Sequence, residues 1–197
     1  QRKFMTTIKN KNVFNLAIKG NFDDCQKLVK DLFLDKSFNK RINMSGVNSI
    51  NWVRIATQVV YYFFCYFKVD KKEKKINFSV PTGNFGDIFA GYIAKKMGLP
   101  INKLIVATNK NDILKRVIKS GIYKPKKTYK SISPSMDIQI ASNFERLLFY
   151  LNSGNSQKTL KLMLDLKNKK KFKLNKKQVK VINKDFFSES LSETETK

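Results

Sequence analysis

Residues 82–87 read Thr-Gly-Asn-Phe-Gly-Asp, and this short stretch carries the clearest chemistry in the chain. The strand formers Ile76, Phe78 and Val80 stop at Pro81, and a helical pattern begins near Asp87. A strand that ends in such a loop and feeds a helix gathers main-chain N–H groups at the positive end of the helix dipole, where an anion is favoured. Glycines at 83 and 86 let the backbone approach that anion with no Cβ in the way. The loop is not a Walker motif, since no Gly-Lys-Ser/Thr follows, nor is it the G-x-G-x-x-G of a dinucleotide fold. A plain strand-to-helix turn would want the same glycines, so the pattern alone leaves both readings open.

Arg54, in N-S-I-N-W-V-R (48–54), is the second candidate. It is one of five arginines and opens the most apolar helical stretch of the chain. Burying it without an anionic partner is costly, and a guanidinium forks onto phosphate as Lys cannot. The competing reading is an arginine that snorkels from a core helix to solvent. There is no His, which excludes zinc sites and His-based triads. Cys25 and Cys65 stand in apolar surroundings with no C-x-x-C, and read as two buried, reduced thiols of a cytoplasmic protein.

The elements around these residues follow from periodicity. V-F-N-L-A-I (13–18) reads as a strand, and Gly20-Asn21 as its break and the cap of a helix. Phe22, Cys25, Leu28, Val29, Leu32 and Phe33 then mark one helical face, with Asp23 and Asp24 in the first turn. Residues 37–48 are polar and irregular. A helix from about 49–51 to Phe67 is apolar nearly all round, which predicts deep burial. The charged linker V-D-K-K-E-K-K (69–75) leads to the strand before the loop, a helix over 87–97 ended by Gly98 and Pro100, and the strand K-L-I-V-A-T (103–108). A short helix ends at Gly121, a Lys- and Ser-rich loop covers 124–135, and a helix is expected over 137–151.

Near-continuous apolar strands that alternate with helices imply an α/β fold, an open and mostly parallel sheet with helices on both faces. The expected domains are 1–45, the remainder of a smaller α/β domain; 46–154, part of a larger one; and 155–197, a Lys-rich region that is partly helical. Its last ten residues, 188–197, are polar and expected to fray.

The formal charge of +25 comes mostly from Lys, 35 of the 40 basic residues, and is spread along the chain. It is densest over 158–184, where eleven Lys face Asp165. A nucleic-acid site would cluster its charge and interleave aromatics with it on a polar face, whereas Tyr61, Tyr62, Phe63, Phe64 and Phe67 lie in an apolar helix. The longest apolar stretch, Val59 to Phe67, is about half of what a membrane span needs. Neither a nucleic acid nor a membrane is an expected partner. The chain opens at Gln1 and reads as a piece of something longer.

V-P-T-G-N-F-G-D-I-F-A-G-Y-I-A-K-K-M-G-L-P (80–100), followed by K-L-I-V-A-T-N-K-N-D, resembles the phosphate-cradle segment of the threonine synthases. Residues 5–33, 46–63 and 133–151, the last holding S-N-F-E-R, resemble the same family in the same order, and the likeness is to its longer form. The resemblance implies pyridoxal 5'-phosphate (PLP) as cofactor, PLP fold type II, and conversion of O-phospho-L-homoserine and water to L-threonine and phosphate. It implies that Gly83, Asn84, Phe85, Gly86 and Asp87 hold the cofactor phosphate. It further implies that Asn48 and Arg54 grip the substrate phosphate, with hydrogen bonds from Ser49 and Asn51. Asp87 would repel an anion, so its expected task is to cap the helix with its charge turned away. The family's Schiff-base lysine lies in an A-F-K-D-like segment upstream of the M-T-T stretch, so no lysine here is assigned that role and the chain alone is expected to be inactive. A dehydratase or cysteine synthase of the same fold type would share the cradle but have no use for an Asn48–Arg54 pair.

Overall fold

Apolar residues within 76–80, 101–108 and 186–187 anchor the central sheet. A computed structural model describes residues 2–20, 22–48, 50–69 and 74–196. The chain divides into two units, residues 1–44 and 45–197.

In the first unit, α1 spans Arg2–Met5, α2 Phe22–Leu34 and α3 Lys36–Ile42. Asp23 and Asp24 fall in the first turn of α2 as their charge requires, while the cap expected at Asn21 lies outside the described residues. Helix α3 corrects the expectation of an irregular 37–48. Asp35 caps it by accepting from the amides of Ser37 and Phe38, both at 3.0 Å, and Asn43 ends it in the left-handed conformation. The strand expected over 13–18 is absent: those residues are irregular, and Val13, Phe14, Leu16 and Ile18 are exposed. A strand exists only as part of a ladder, and no described residue of this unit offers one.

The second unit begins with α4, Trp52–Val69, and continues through β1, Ile76–Pro81, to α5, Gly86–Lys96, and β2, Ile101–Thr108. Residues 70–73 of the charged linker lie outside the described residues. Next come α6, Ile113–Ser120, β3, Ile122–Tyr123, and a 3₁₀ turn over Pro134–Met136. Then follow α7, Phe144–Leu151, α8, Ser156–Lys169, β4, Phe172–Lys173, and α9, Lys176–Asp185; β5, Phe186–Ser190, and α10, Glu193–Thr196, come last. The sheet is parallel in the order β1-β2-β5, with Val80 beside Val106 and Leu104 beside Phe186; β3 and β4 form a small antiparallel pair. This is the expected α/β class, a parallel sheet flanked by helices. Ile88, Phe89, Leu104, Val106 and Val117 are fully buried in its core.

Three expectations in this unit are corrected. Helix α4 is not deeply buried: Ile55, Val59, Tyr62 and Tyr66 pack inward, while Val53, Val60, Tyr61, Phe64 and Phe67 are exposed, and so is Cys65. It presses one face against α5, and nothing described covers the other. The helix expected over 137–151 begins only at Phe144, because the Asp137 carboxylate is committed to the loop before it. That carboxylate accepts from the Ser131 amide at 3.0 Å, from the Ser131 hydroxyl at 2.5 Å, and from Asn109 Nδ2 at 2.9 Å and Asn111 Nδ2 at 3.0 Å. The polar tail does not fray from 188. Residues 186–190 join the sheet, and Lys115 and Lys119 of α6 both pair with Glu189.

Candidate active site

The 82–86 loop leaves β1 at the carboxyl end of the parallel strands, the end where open α/β sheets place their ligands. Thr82 is stitched to the sheet, its amide donating to Ala107 O at 2.7 Å and its hydroxyl to Val80 O at 2.6 Å. Asn84 fixes the middle of the loop. Its Oδ1 accepts from the Ser142 amide at 2.7 Å and the Ser142 hydroxyl at 2.8 Å. Its carbonyl accepts from the Asn143 amide at 3.2 Å and from Asn143 Nδ2 at 3.3 Å.

Phe85 takes the left-handed conformation, with φ 65° and ψ 6°, a strain of about 1–2 kcal/mol for a residue with a Cβ. Its ring is buried, with centroids 5.3 Å from Phe144 and 5.6 Å from Phe186. Full burial of such a ring contributes about 1.5–3 kcal/mol, enough to hold the turn. Phe85 stands at the N-cap of α5 without a side-chain hydrogen bond, so the first amides of that helix keep no side-chain acceptor. Gly83 needs its missing Cβ for packing: a Cβ there would lie 2.9 Å from Ile138 Cδ1 and 3.3 Å from Met136 Cα. At this position the missing Cβ makes room for the 136–138 segment. Gly86 is buried and is the first residue of α5.

Asp87 does not cap its helix. It sits inside the first turn, and the Tyr62 hydroxyl of α4 donates to its carbonyl at 2.9 Å and to its Oδ1 at 3.1 Å. Burial of the phenol, and then the charge of Asp87, push the Tyr62 pKa well above the usual tyrosine value.

The 48–54 segment is a turn that starts α4. Asn48 Oδ1 accepts from the Ile50 amide at 3.1 Å, and Asn51 Oδ1 from the Val53 amide at 3.0 Å, while Asn51 Nδ2 donates to Gly46 O at 2.9 Å. Ser49 lies outside the described residues. Arg54 is exposed in the first turn of α4, and among the described residues its guanidinium has no partner. The inference that it must be buried therefore falls with the inference that α4 is buried.

Arg146 is the residue that sequence reasoning missed. Its Nη2 donates to Ile50 O at 2.8 Å, its Nε donates to Asn143 Oδ1 at 3.0 Å, and its guanidinium lies 5.3 Å from the centre of the Trp52 ring. It thus stands between the 48–54 turn and the residue that grips Asn84. Its presence in S-N-F-E-R and the rarity of arginine were the available signals. Among the described residues no group of His, Cys, Asp and Glu could hold a metal ion, and no helix is long and apolar enough to cross a membrane.

No family model matches the chain. Individual relatives do. It is 49% identical over its whole length to threonine synthase of Saccharomyces cerevisiae and 47% identical to that of Pseudomonas aeruginosa. Over its whole length the chain is similar to the threonine synthases. It spans 40% and 42% of those two proteins. Among solved structures, the PLP-bound threonine synthase of Brucella melitensis superposes with a TM-score of 0.86 at 49% identity over 98% of this chain and 41% of its own. Yeast threonine synthase gives 0.83 at 46% identity, over 98% of this chain and 40% of its own. The threonine synthase of Escherichia coli gives 0.75 at 30% identity, over 94% of this chain and 38% of its own.

Proposed function

We propose that this chain carries the two phosphate-holding segments of a threonine synthase, an enzyme that converts O-phospho-L-homoserine and water to L-threonine and phosphate. The observation that carries the reading is the 82–86 loop itself, a buried strand-to-helix turn that is rigidly pinned at Thr82, Asn84 and Phe85 and opens onto the uncapped start of α5. Such a turn fits the phosphate of PLP, because main-chain amides and a helix terminus hold an anion without adding a group that titrates. The nearest carboxylate fits as well, since Tyr62 engages Asp87 from α4.

On this reading Gly83, Asn84, Phe85, Gly86 and Asp87 form the cofactor-phosphate cradle, and Asn48, Ser49, Asn51 and Arg54 the substrate-phosphate segment. Asn48 and Asn51 shape the turn, and the Arg54 guanidinium, which has no partner among the described residues, is the group free to fork onto phosphate. PLP, when bound, supplies the electron sink for elimination of phosphate and addition of water. The catalytic lysine comes from the rest of the enzyme, and the chain alone is inactive. On the same reading residues 1–45 belong to the smaller domain, 46–154 to the larger, and 155–197 to a Lys-rich variable region. A cytoplasmic location is part of the same proposal, and the two free thiols are consistent with it.

A chimera tests this, with the 197 residues replacing the matching segment of the yeast enzyme. It should bind PLP, absorb in the visible and release phosphate from O-phosphohomoserine. Arg54→Ala in the chimera should raise the KM for that substrate by about tenfold or more and leave the cofactor spectrum unchanged. A folded, PLP-loaded chimera that releases no phosphate would overturn the reading.

A further inference from the structure

Arg146 is the third residue of α7, a place where the helix dipole disfavours a cation. It is partly buried, it has no carboxylate within ion-pair distance among the described residues, and burial lowers its pKa against the opposing pull of Glu145. Something must offset these costs. The two prongs of its planar guanidinium reach segments far apart in the sequence: Nη2 donates to Ile50 O, 96 residues away, and Nε to Asn143 Oδ1. Asn143 in turn donates twice to the carbonyl of Asn84. Below the guanidinium, Trp52 packs edge-on against Phe89 of α5, with centroids 6.4 Å apart.

We propose that Arg146 is a positioning residue that holds the 48–54 turn at a set distance from the 82–86 loop, so that the substrate phosphate and the cofactor phosphate are gripped in register. The inference rests on the reading of those two segments as phosphate sites. Lys cannot replace it, because one ammonium on a flexible stem does not span two acceptors at a fixed angle. The loop has its own ties through Thr82 and Ser142, so loss of Arg146 releases the turn and leaves the cradle in place.

The test compares Arg146→Lys and Arg146→Gln with the parent chimera, measuring steady-state kinetics, the cofactor absorption spectrum, melting and amide hydrogen exchange. In both variants exchange over 48–54 should accelerate while that over 82–86 keeps its parent rate, and the KM for O-phosphohomoserine should rise by about tenfold with the spectrum retained. Arg146→Lys, which keeps the charge and the packing stem, should fold and still show the KM increase. An unchanged KM with unchanged exchange over 48–54 overturns the proposal. So does a fall in melting temperature with KM intact, the mark of a purely structural residue. If the parent chimera releases no phosphate, the functional reading fails by itself, and the exchange comparison still decides whether Arg146 holds the turn.

Discussion

The Tyr62 hydroxyl donates to both the carbonyl and the carboxylate of Asp87, at 2.9 and 3.1 Å, and so ties α4 to the first turn of α5. A carboxylate at the end of the cradle would work against any anion bound there, and this bond draws it towards α4. Tyr62→Phe keeps the packed ring and removes the tie. Loss of one hydrogen bond to a charged group should cost about 1–2 kcal/mol in chimera stability, since the exposed carboxylate regains water. Cofactor affinity should fall as well, read by spectral titration. A variant with parent stability and parent affinity would remove this role from Tyr62.

The same ring explains Gly91. A Cβ there would lie 2.5 Å from Tyr62 Cε1 and 2.9 Å from Leu104 Cδ2, so α5 passes between α4 and β2 with no room for a methyl group. Ala is the better helix former by about 1 kcal/mol. Overpacking against a ring pinned at its hydroxyl should outweigh that gain, leaving Gly91→Ala destabilised by about 1–3 kcal/mol. Thermal unfolding of the variant checks the sign, and a rise in melting temperature would contradict the packing.

Glu189 of β5 accepts from Lys115 and Lys119 of α6, and these two bonds lower its pKa from 4.5 to about 2. The folded value lies below the unfolded one, so the stabilisation is complete above pH 4.5 and is lost as the pH falls towards 2. Glu189→Gln should therefore lower the melting temperature near neutral pH, with the gap to the parent closing on acidification through that window. The group is exposed, so added salt should shrink the gap too. A gap that does not change with pH would mean that the charge contributes nothing.

Strands β1 and β2 and the helix between them were legible because Ile76, Phe78 and Val80 and the run Leu104–Ala107 are strand formers, and their neighbours announce the breaks with Pro and Gly. Strand β5 was not: Ser188, Glu189 and Ser190 look solvated, and their place in the sheet depends on β2 and on two lysines more than 65 residues earlier. Residues 13–18 show the reverse failure, apolar enough for a strand yet lacking a described partner. The cradle was visible as a loop but not in its supports. Asn84 reads as a ligand residue in isolation, and its bonds to Ser142 and Asn143 belong to tertiary structure. Arg146 was hidden for the same reason, because nothing local in S-N-F-E-R points to Ile50.

Asn84 allows position and charge to be separated. Asn84→Asp retains an oxygen where Oδ1 accepts from the Ser142 amide and hydroxyl, and it leaves the carbonyl that Asn143 grips untouched. The loop should therefore keep its shape, with hydrogen exchange over 82–86 close to that of the parent chimera. What changes is one negative charge at the centre of the proposed phosphate cradle. At a separation of about 5 Å and an effective dielectric near 20, the repulsion from a single phosphate charge is about 3 kcal/mol. PLP affinity should fall by about tenfold or more even after solvent screening, and the loss should ease at high ionic strength. Asn84→Ala should do the opposite, loosening the loop and weakening the cofactor with little dependence on salt. Equal PLP affinity in the Asp variant and the parent would show that no anion sits at this turn, and the cofactor assignment would fall with it.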